Sequence, residues 1–202
     1  MTVKLISYSK DYLETILGAI SQCHGKPANL KVLESVISSG HLSVLEHAMA
    51  TFEIQCSLAV LGQITRHRHL SFTVKSTRVA EFGGSYDIPS DIQGDNIVYF
   101  DNYVNNALDA YDELIDRGVS RESAAYLLPK ATMTSMYVSG NLRAWFEYLP
   151  DRECNRALPE HRNVAQRIHS ELTLAVPEIF NRELKRCNRG CQEKSCTFGG
   201  KQ

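Results

Sequence analysis

The residues of this chain best suited to bind an anion lie in one short segment, RHRHLSFTVKSTR, at positions 66–78. The segment contains three arginines, one lysine and two histidines, and it has no acidic residue. Arginine keeps its charge and binds phosphate or carboxylate through two parallel hydrogen bonds, while serine and threonine hydroxyls add further donors. Histidine can donate, accept or titrate near neutral pH. The composition therefore predicts a phosphate or carboxylate ligand, although a solvated basic turn would have the same composition.

The rest of the chain limits the kind of ligand and the location. Lys plus Arg total 22 and Asp plus Glu total 23, which gives a formal net charge of −1 over 202 residues. This balance argues against general nucleic-acid binding, and no apolar segment approaches the length of a membrane span. Neither a Walker-type nor a Rossmann-type glycine motif is present. Since the N-terminal segment also lacks a signal-peptide core, we expect a cytoplasmic protein.

The fold that must position these residues is predicted to contain more helix than strand. Apolar spacing indicates helices at 11–23, 29–40, 58–68, 101–118, 141–149 and 159–184, the last of them kinked or shortened by Pro177. Alternating or β-branched segments indicate strands at 5–9, 50–57 and 130–140, and residues 69–95 resemble a loop. We therefore expect an α+β fold. It would comprise one helix-rich domain with a small, mostly antiparallel sheet, residues 1–185, and a cysteine-containing tail, residues 186–202.

The cysteines at 23, 56, 154, 187, 191 and 196 are expected to be reduced thiols, because no secretory signal accompanies them. The last three have the spacing Cys-x3-Cys-x4-Cys. A zinc site built on them would need a fourth ligand, such as His24, His69 or Cys154. A redox or intersubunit role is the other alternative. We predict no metal site and a reduced tail.

The spacing within the basic segment resembles that of the flavin-dependent thymidylate synthases. Arg66-His67-Arg68, seven further residues and then Ser76 match the signature of that family. Other similar segments follow the family's order: SGHLSVLEH at 39–47, Gln63, LLP at 127–129 and GNLRAWFEYLPDR at 140–152. The resemblance extends over residues 37–165, and on these motifs the chain is identified as a member of the family.

The resemblance implies a thymidylate synthase-complementing-protein-like fold and a homotetramer whose active sites are shared between subunits. It implies FAD as cofactor, with dUMP, methylenetetrahydrofolate and NADPH as the other ligands. The implied reaction is the reductive methylation of dUMP to dTMP, a methyltransferase step of nucleotide biosynthesis that uses no cysteine nucleophile. The cofactor supplies most of the chemistry in such a reaction, while the protein positions and polarises the reactants.

One residue is implied to be catalytic. Arg152 matches the arginine that binds the uracil edge and favours its N3-ionised form, because a permanent cation lowers the pKa of a neighbouring N–H. The residues that match FAD contacts are His41, Ser43, Arg66, His67, Arg68, Asn141, Arg143 and Glu147. The residues that match dUMP contacts are Gln63, Arg66, Ser76, Thr77, Arg78 and Arg152, with Ser76–Arg78 at the phosphate. From residue type alone, His41 and His47 would equally suit core or capping positions, and Trp145–Tyr148 is more typical of a core than of a stacking surface.

Several positions depart from the family's common pattern. Thr73 and Val74 replace an amide and acidic pair, and Ala125 replaces an arginine associated with the dUMP phosphate. The cations that could compensate are Lys75, Arg121 and Arg156. The departures leave two alternatives open: C5-alkylation of a related nucleotide such as UMP or a modified dUMP, and a flavin- and nucleotide-binding homologue without turnover.

Overall fold

The computed structural model describes residues 1–188 and 191–196, which form a helix-rich α+β domain built on one antiparallel sheet. The strands are β1 (Thr2–Tyr8), β2 (Met49–Ser57), β3 (Ser71–Val74) and β4 (Met133–Asn141). They lie in the order β1-β2-β4-β3, and each neighbouring pair is antiparallel. The predicted fold class is therefore confirmed. Residues 189–190 and 197–202 of the predicted tail lie outside the described residues.

Helices account for most of the remaining described chain. The α-helices are α1 (Tyr12–His24), α2 (Leu30–Ser38), α3 (Leu58–Ile64), α4 (Asp95–Asp116), α5 (Arg121–Ala124), α6 (Leu142–Arg152), α7 (Pro159–Ala175) and α8 (Pro177–Phe180). Short 3₁₀ turns lie at Leu42–His47, Ala125–Leu127 and Arg186–Asn188. In the part of the chain that the structure describes, no helix combines the length and the apolarity needed to cross a membrane.

The core lies between one face of the sheet and helices α6 and α7. Phe52 and Ile54 of β2 alternate with more exposed residues and are fully buried, as the period of a strand requires. Trp145 of α6 packs edge-on against Phe52, with 5.1 Å between ring centroids, and its indole N–H donates to the carbonyl of Ala50 at 3.1 Å. Each large buried side chain contributes about 2–3 kcal/mol. This packing fixes α6 against the sheet, and so fixes the direction of its remaining side chains.

A smaller apolar cluster holds the segment that follows β3. Phe82, Tyr111 and Ala124 are buried together, so this segment packs against α4 and α5. The ammonium group of Lys75 lies 4.6 Å from the centre of the Phe82 ring, a cation–π contact. The cluster therefore positions residues 75–82 beside α5.

Several predicted boundaries are wrong, among them that of the helix predicted at 58–68, which ends at Ile64 before the Arg66–Arg68 triplet. Residues 69–95 are not all loop, because Phe72 and Val74 pack against the core and give β3 a short strand alternation. Helix α4 begins at Asp95, after Gly94 with a positive φ of 59°, and not at 101. The last predicted helix is shortened at Pro177, as the sequence indicated, and ends at Ala175, since Pro177 has no N–H to donate and its ring would collide with the carbonyl of Thr173.

Candidate active site

The Arg66-His67-Arg68 triplet forms a tight turn after α3. The backbone N–H groups of Arg66 and His67 donate to the carbonyls of Gln63 and Ile64, at 3.3 and 3.1 Å. The turn points the three side chains in different directions, leaving Arg66 and Arg68 exposed and His67 half-buried. Among the described residues neither exposed arginine has a carboxylate partner. Two unpaired guanidinium groups on one turn suit an anionic ligand such as a pyrophosphate.

Arg152, at the end of α6, contacts the central histidine of this turn. Its Nε–H donates to Nε2 of His67 at 2.8 Å, so Nε2 carries no hydrogen and the imidazole is neutral with its proton on Nδ1. Burial lowers the pKa of His67, and the Arg152 charge lowers it further, with a smaller opposing effect from Asp151. The guanidinium therefore stays beside a neutral acceptor and keeps a full positive charge.

A buried polar network lies behind this pair. His161 of α7 is fully buried, with Nε2 3.0 Å from the hydroxyl of Tyr148 and Nδ1 3.1 Å from Oε1 of Gln63. The Tyr148 ring meets His67 edge-on, at 4.8 Å between centroids. Gln63, His67, Tyr148, Arg152 and His161 thus form one connected cluster.

His161 and Tyr148 were absent from the sequence-predicted site. Tyr148 is buried, as expected for the aromatic residues of α6, but its hydroxyl and ring edge face the cluster. The position of His161 could have indicated its role. This residue lies three residues before Val164, on the apolar stripe predicted for the last helix. A buried histidine on such a stripe requires polar partners, and here both ring nitrogens have one.

A second group of predicted flavin residues lies where the Leu42–His47 turn meets the start of α6. Arg143 donates to Glu46 at 2.6 Å and to Glu147 at 2.8 Å. The Asn141 side chain is the N-cap of α6, accepting from the N–H of Ala144 at 2.8 Å. His41, Ser43 and His47 are exposed, so the core alternative for these histidines is wrong.

The residues predicted to bind the nucleotide phosphate form a third group. The N–H of Arg78 donates to Oγ of Ser76 at 3.2 Å, which folds the backbone around the hydroxyl, and Thr77 lies half-buried between them. Arg78 pairs with Glu122 at 3.3 Å, and both side chains are more than half exposed. Arg121 pairs with Glu81 at 2.7 Å, so two ion pairs join this loop to α5.

Within one chain, the cluster around the Arg66–Arg68 turn and the group around Arg143 lie apart. Arg143 and Arg152 lie nine residues apart on α6. That separation corresponds to a rise of about 14 Å and a rotation of about 180°. The two arginines therefore lie near opposite ends of α6 and on opposite sides of it. A cavity of about 940 Å³ is lined by Glu147, Asp151 and residues of the tail, and its lining includes none of the three residues of the Arg66–Arg68 turn.

Histidine, cysteine and carboxylate side chains are not clustered as metal ligands in the described residues. No group of three or more histidine, cysteine or carboxylate side chains there is arranged to hold a metal ion. Cys187, Cys191 and Cys196 form no disulfide among the described residues, and the reduced tail stays a prediction. The predicted site residues are arginine, histidine, amide and hydroxyl side chains, together with the carboxylate of Glu147.

Comparison with known proteins identifies the family. The family model described as thymidylate synthase complementing protein matches residues 4–178. A probable flavin-dependent thymidylate synthase of Mycobacterium phage L5 is 34% identical over 175 residues, covering 75% of this chain and 69% of the phage protein. The flavin-dependent thymidylate synthase of Pyrococcus furiosus is 33% identical over 190 residues, covering 84% of this chain and 78% of its own. The chain belongs to this thymidylate synthase complementing protein family, the flavin-dependent thymidylate synthases.

A solved structure agrees with the fold. The UMP/dUMP methylase PolB from Streptomyces cacaoi, bound with 5-Br dUMP, superposes with a TM-score of 0.78. The comparison covers 89% of this chain and 93% of that one at 23% sequence identity. At that identity the similarity establishes the shared fold.

Proposed function

We propose that this protein is a flavin-dependent thymidylate synthase that converts dUMP to dTMP, with methylenetetrahydrofolate as carbon donor and NADPH-reduced FAD as reductant. The observation that carries the proposal is the contact between Arg152 and a neutral His67 in the family's Arg-His-Arg turn. It leaves a fully charged guanidinium on a half-buried side chain, beside the residues matched to nucleotide and flavin. A soluble enzyme of nucleotide metabolism would also be expected in the cytoplasm.

Arg152 would act on the uracil ring. A permanent cation at the ring edge favours loss of the N3 proton and stabilises the resulting anion. The electron density released into the ring makes C5 the nucleophile toward the one-carbon electrophile. Because the Nε–H is used by His67, the terminal amino groups of the guanidinium remain for the pyrimidine.

The dUMP phosphate would lie against Ser76, Thr77 and Arg78. Arg78 must then leave Glu122, and an exposed ion pair of this kind is worth only about 0–1 kcal/mol. A dianionic phosphate is a stronger partner, since charge-assisted bidentate hydrogen bonds are roughly twice as strong as neutral ones. Gln63 and Arg66 would add donors from the end of α3 and the turn that follows.

Arg121 is the best candidate to replace the arginine missing at Ala125. It lies one turn earlier, on α5, and its ion pair with Glu81 joins it to the loop that begins at Ser76. The other two candidates also have partners, but neither partner lies on α5. Lys75 lies over the Phe82 ring, and Arg156 pairs with Glu193 of the tail at 3.0 Å.

The chain's residues fit FAD by the chemistry of their donors. The exposed guanidinium groups of Arg66 and Arg68 suit its pyrophosphate, and exposed His41 and Ser43 supply further hydrogen-bonding groups. When bound, FAD would supply the reducing electrons and take part in delivering the carbon unit. Because Arg143 and the Arg66–Arg68 turn belong to separate groups in one chain, we propose a homotetramer in which different subunits complete each site.

A related substrate is the second candidate function. The loss of an arginine at Ala125, and the replacements at Thr73 and Val74, fall in the segments matched to nucleotide contacts. PolB, which has the same fold, is described as a UMP/dUMP methylase. UMP or a modified dUMP is therefore the alternative substrate, and a homologue that binds flavin and nucleotide without turnover is the third possibility.

The test is an anaerobic assay of the purified protein. Flavin absorbance is recorded first, and the protein is then incubated with NADPH, methylenetetrahydrofolate and either dUMP or UMP. Formation of dTMP supports thymidylate synthesis, whereas methylated UMP alone supports the second candidate. Bound flavin without product identifies the homologue without turnover. A protein that cannot be reconstituted with FAD would refute all three.

A further inference from the structure

His161 is a buried titratable residue that the proposed reaction does not use. It is fully buried in α7, yet both ring nitrogens have partners from other elements. One partner, Gln63, lies at the end of α3, three residues before Arg66. The other, Tyr148, lies on α6, one turn before Arg152. The imidazole thus joins the two elements that carry the Arg-His-Arg turn and the proposed catalytic arginine.

The hydrogen bonds define where the ring carries its proton. Oε1 of Gln63 can only accept, so Nδ1 of His161 must donate to it. Nε2 then carries no hydrogen and accepts from the Tyr148 hydroxyl. Burial lowers the pKa of His161 to about 3, and the Arg152 charge acts in the same direction, as would protonation of His67. The ring is therefore neutral at physiological pH, with one donor and one acceptor.

This arrangement determines which end of the Gln63 amide is available to a ligand. The amide oxygen is held inward by Nδ1–H of His161, while the amide NH₂ has no hydrogen-bond partner among the described residues. An amide rotated by 180° would require the opposite tautomer, in which Nε2–H donates to the Tyr148 hydroxyl oxygen and Nδ1 accepts from the amide NH₂. With its hydrogen on Nδ1, the histidine presents two amide N–H donors on the side of Gln63 that faces away from the core.

We propose that His161 is a positioning residue that orients the Gln63 amide for the nucleotide, donating inward so that Gln63 donates outward. The inference rests on the proposed function, in which Gln63 contacts the nucleotide. Through Tyr148, whose ring meets His67 edge-on, the same histidine supports the turn that carries Arg66 and Arg68.

Two variants with the same number and branching of side-chain heavy atoms test the role of the donor. In His161→Asn the amide nitrogen can replace Nδ1 and still donate to Gln63, whereas His161→Leu removes the donor. Dissociation constants for dUMP and UMP are measured by calorimetry on the FAD-loaded protein. We expect the leucine variant to bind the preferred nucleotide about tenfold more weakly, and the asparagine variant to stay within roughly threefold of the wild type. FAD affinity is expected to be similar in both variants.

A double-mutant cycle separates positioning from general support of the fold. In a Gln63→Ala background, His161→Leu should cause no further loss of nucleotide affinity, because the amide that it orients is absent. Equal losses in both backgrounds, or equal losses for the asparagine and leucine variants, would overturn the inference.

A measurement without nucleotide distinguishes failure of this inference from failure of the proposed function. With ¹⁵N-histidine labelling, the imidazole resonances of His161 are assigned by their loss in His161→Asn. The neutral tautomer with hydrogen on Nδ1 is expected at pH 7. A charged ring or the Nε2–H tautomer would refute the orientation of Gln63, whatever ligand binds. Wild-type protein that shows the expected tautomer but binds neither dUMP nor UMP would instead refute the proposed function.

Discussion

At the scale of single residues, the contact between Arg152 and His67 concentrates the chemistry of the candidate site. The histidine uses a guanidinium hydrogen without neutralising the charge, since a ring that accepts at Nε2 is itself uncharged. A carboxylate in the position of His67 would form an ion pair with Arg152. It would weaken the electrostatic field that the guanidinium exerts on the ligand. The turn therefore holds the guanidinium in one orientation without neutralising its charge, which is what the proposed polarisation of a pyrimidine requires.

Replacing Arg152 tests this role. Arg152→Ala should lower turnover by on the order of 10²-fold or more, because the charge stabilising the developing ring anion is lost. FAD should remain bound, as the chain's other matched flavin residues are unchanged. The pKa of His67 should rise toward its ordinary value, since the Arg152 charge that lowers it is removed while burial remains. His67 would then become protonated at a higher pH in the variant than in the wild type.

Steady-state kinetics, the flavin absorbance spectrum and an NMR pH titration of His67 measure these three effects. Arg152→Lys is the matched control, because lysine keeps the charge but lacks the planar fork. It should retain more turnover than the alanine variant. Normal turnover by Arg152→Ala would remove this residue from the proposed mechanism.

The sequence identified residue types for the candidate site, but it did not predict how their side chains are linked. Arg66–Arg68 and Arg152 follow from local motifs. His161 contacts Gln63 across 98 positions and Tyr148 across 13, and no local pattern specifies such pairs. A helical stripe predicts that a residue is buried, but the partner of a buried ring nitrogen is set by how α7 packs on α3 and α6.

At the scale of elements, α6 is the part of the fold that positions both proposed arginine groups. It follows β4 directly, with Asn141 closing the strand and capping the helix. Trp145 then anchors the helix to the sheet. Arg143 lies in its first turn and Arg152 in its last. A change at the cap would therefore affect stability and, if Asn141 also contacts the flavin, cofactor binding.

Two substitutions separate these two roles of Asn141. Asn141→Ala should lower the free energy of unfolding by about 1 kcal/mol, because the N–H of Ala144 loses its acceptor. Asn141→Asp keeps an acceptor at the cap and should preserve stability. Both variants lack the amide donor, so both should bind FAD more weakly, the aspartate variant more so because it repels the phosphates. Denaturant unfolding and FAD titration measure the two effects. An aspartate variant that binds FAD like the wild type would contradict the predicted flavin contact.

The long helices and central strands could be predicted because their patterns extend over many residues. Strand β3 could not, because four residues give too short an alternation to identify. Its strand state depends on pairing with β4, more than sixty positions away, where Phe72 lies opposite Val138. Pairing of this kind is a property of the sheet edge rather than of the local sequence.

At the scale of the whole molecule, one chain separates residues that the family resemblance assigns to one flavin. Arg143 faces Glu46 and Glu147, whereas Arg66 and Arg68 lie beyond the far end of α6 with His67 and Arg152. Two copies of the chain could each contribute one group to a shared site. In a symmetric oligomer, every site would then be completed by the same pair of surfaces.

Mixing two defective variants tests whether sites are shared. Arg68→Ala and Arg143→Ala should each be inactive alone, since each removes a flavin contact from every site. In hetero-oligomers formed by co-expression, a site that takes Arg68 from one subunit and Arg143 from another is intact in about a quarter of random combinations. Activity should therefore return to about that fraction of the wild type. Affinity tags on the two chains select the mixed assemblies before the assay.

Mixing Arg66→Ala with Arg68→Ala is the matched control, because both residues lie in one turn of one subunit. Every combination then lacks one of the two arginines, and no activity should return. Recovery in the first mixture but not in the control would support sites built across subunits. A first mixture that stays inactive although both tagged chains are present would show that each chain supplies both groups. Sedimentation of the wild type at the mass of a single chain, 22.7 kDa, would contradict the proposed assembly directly.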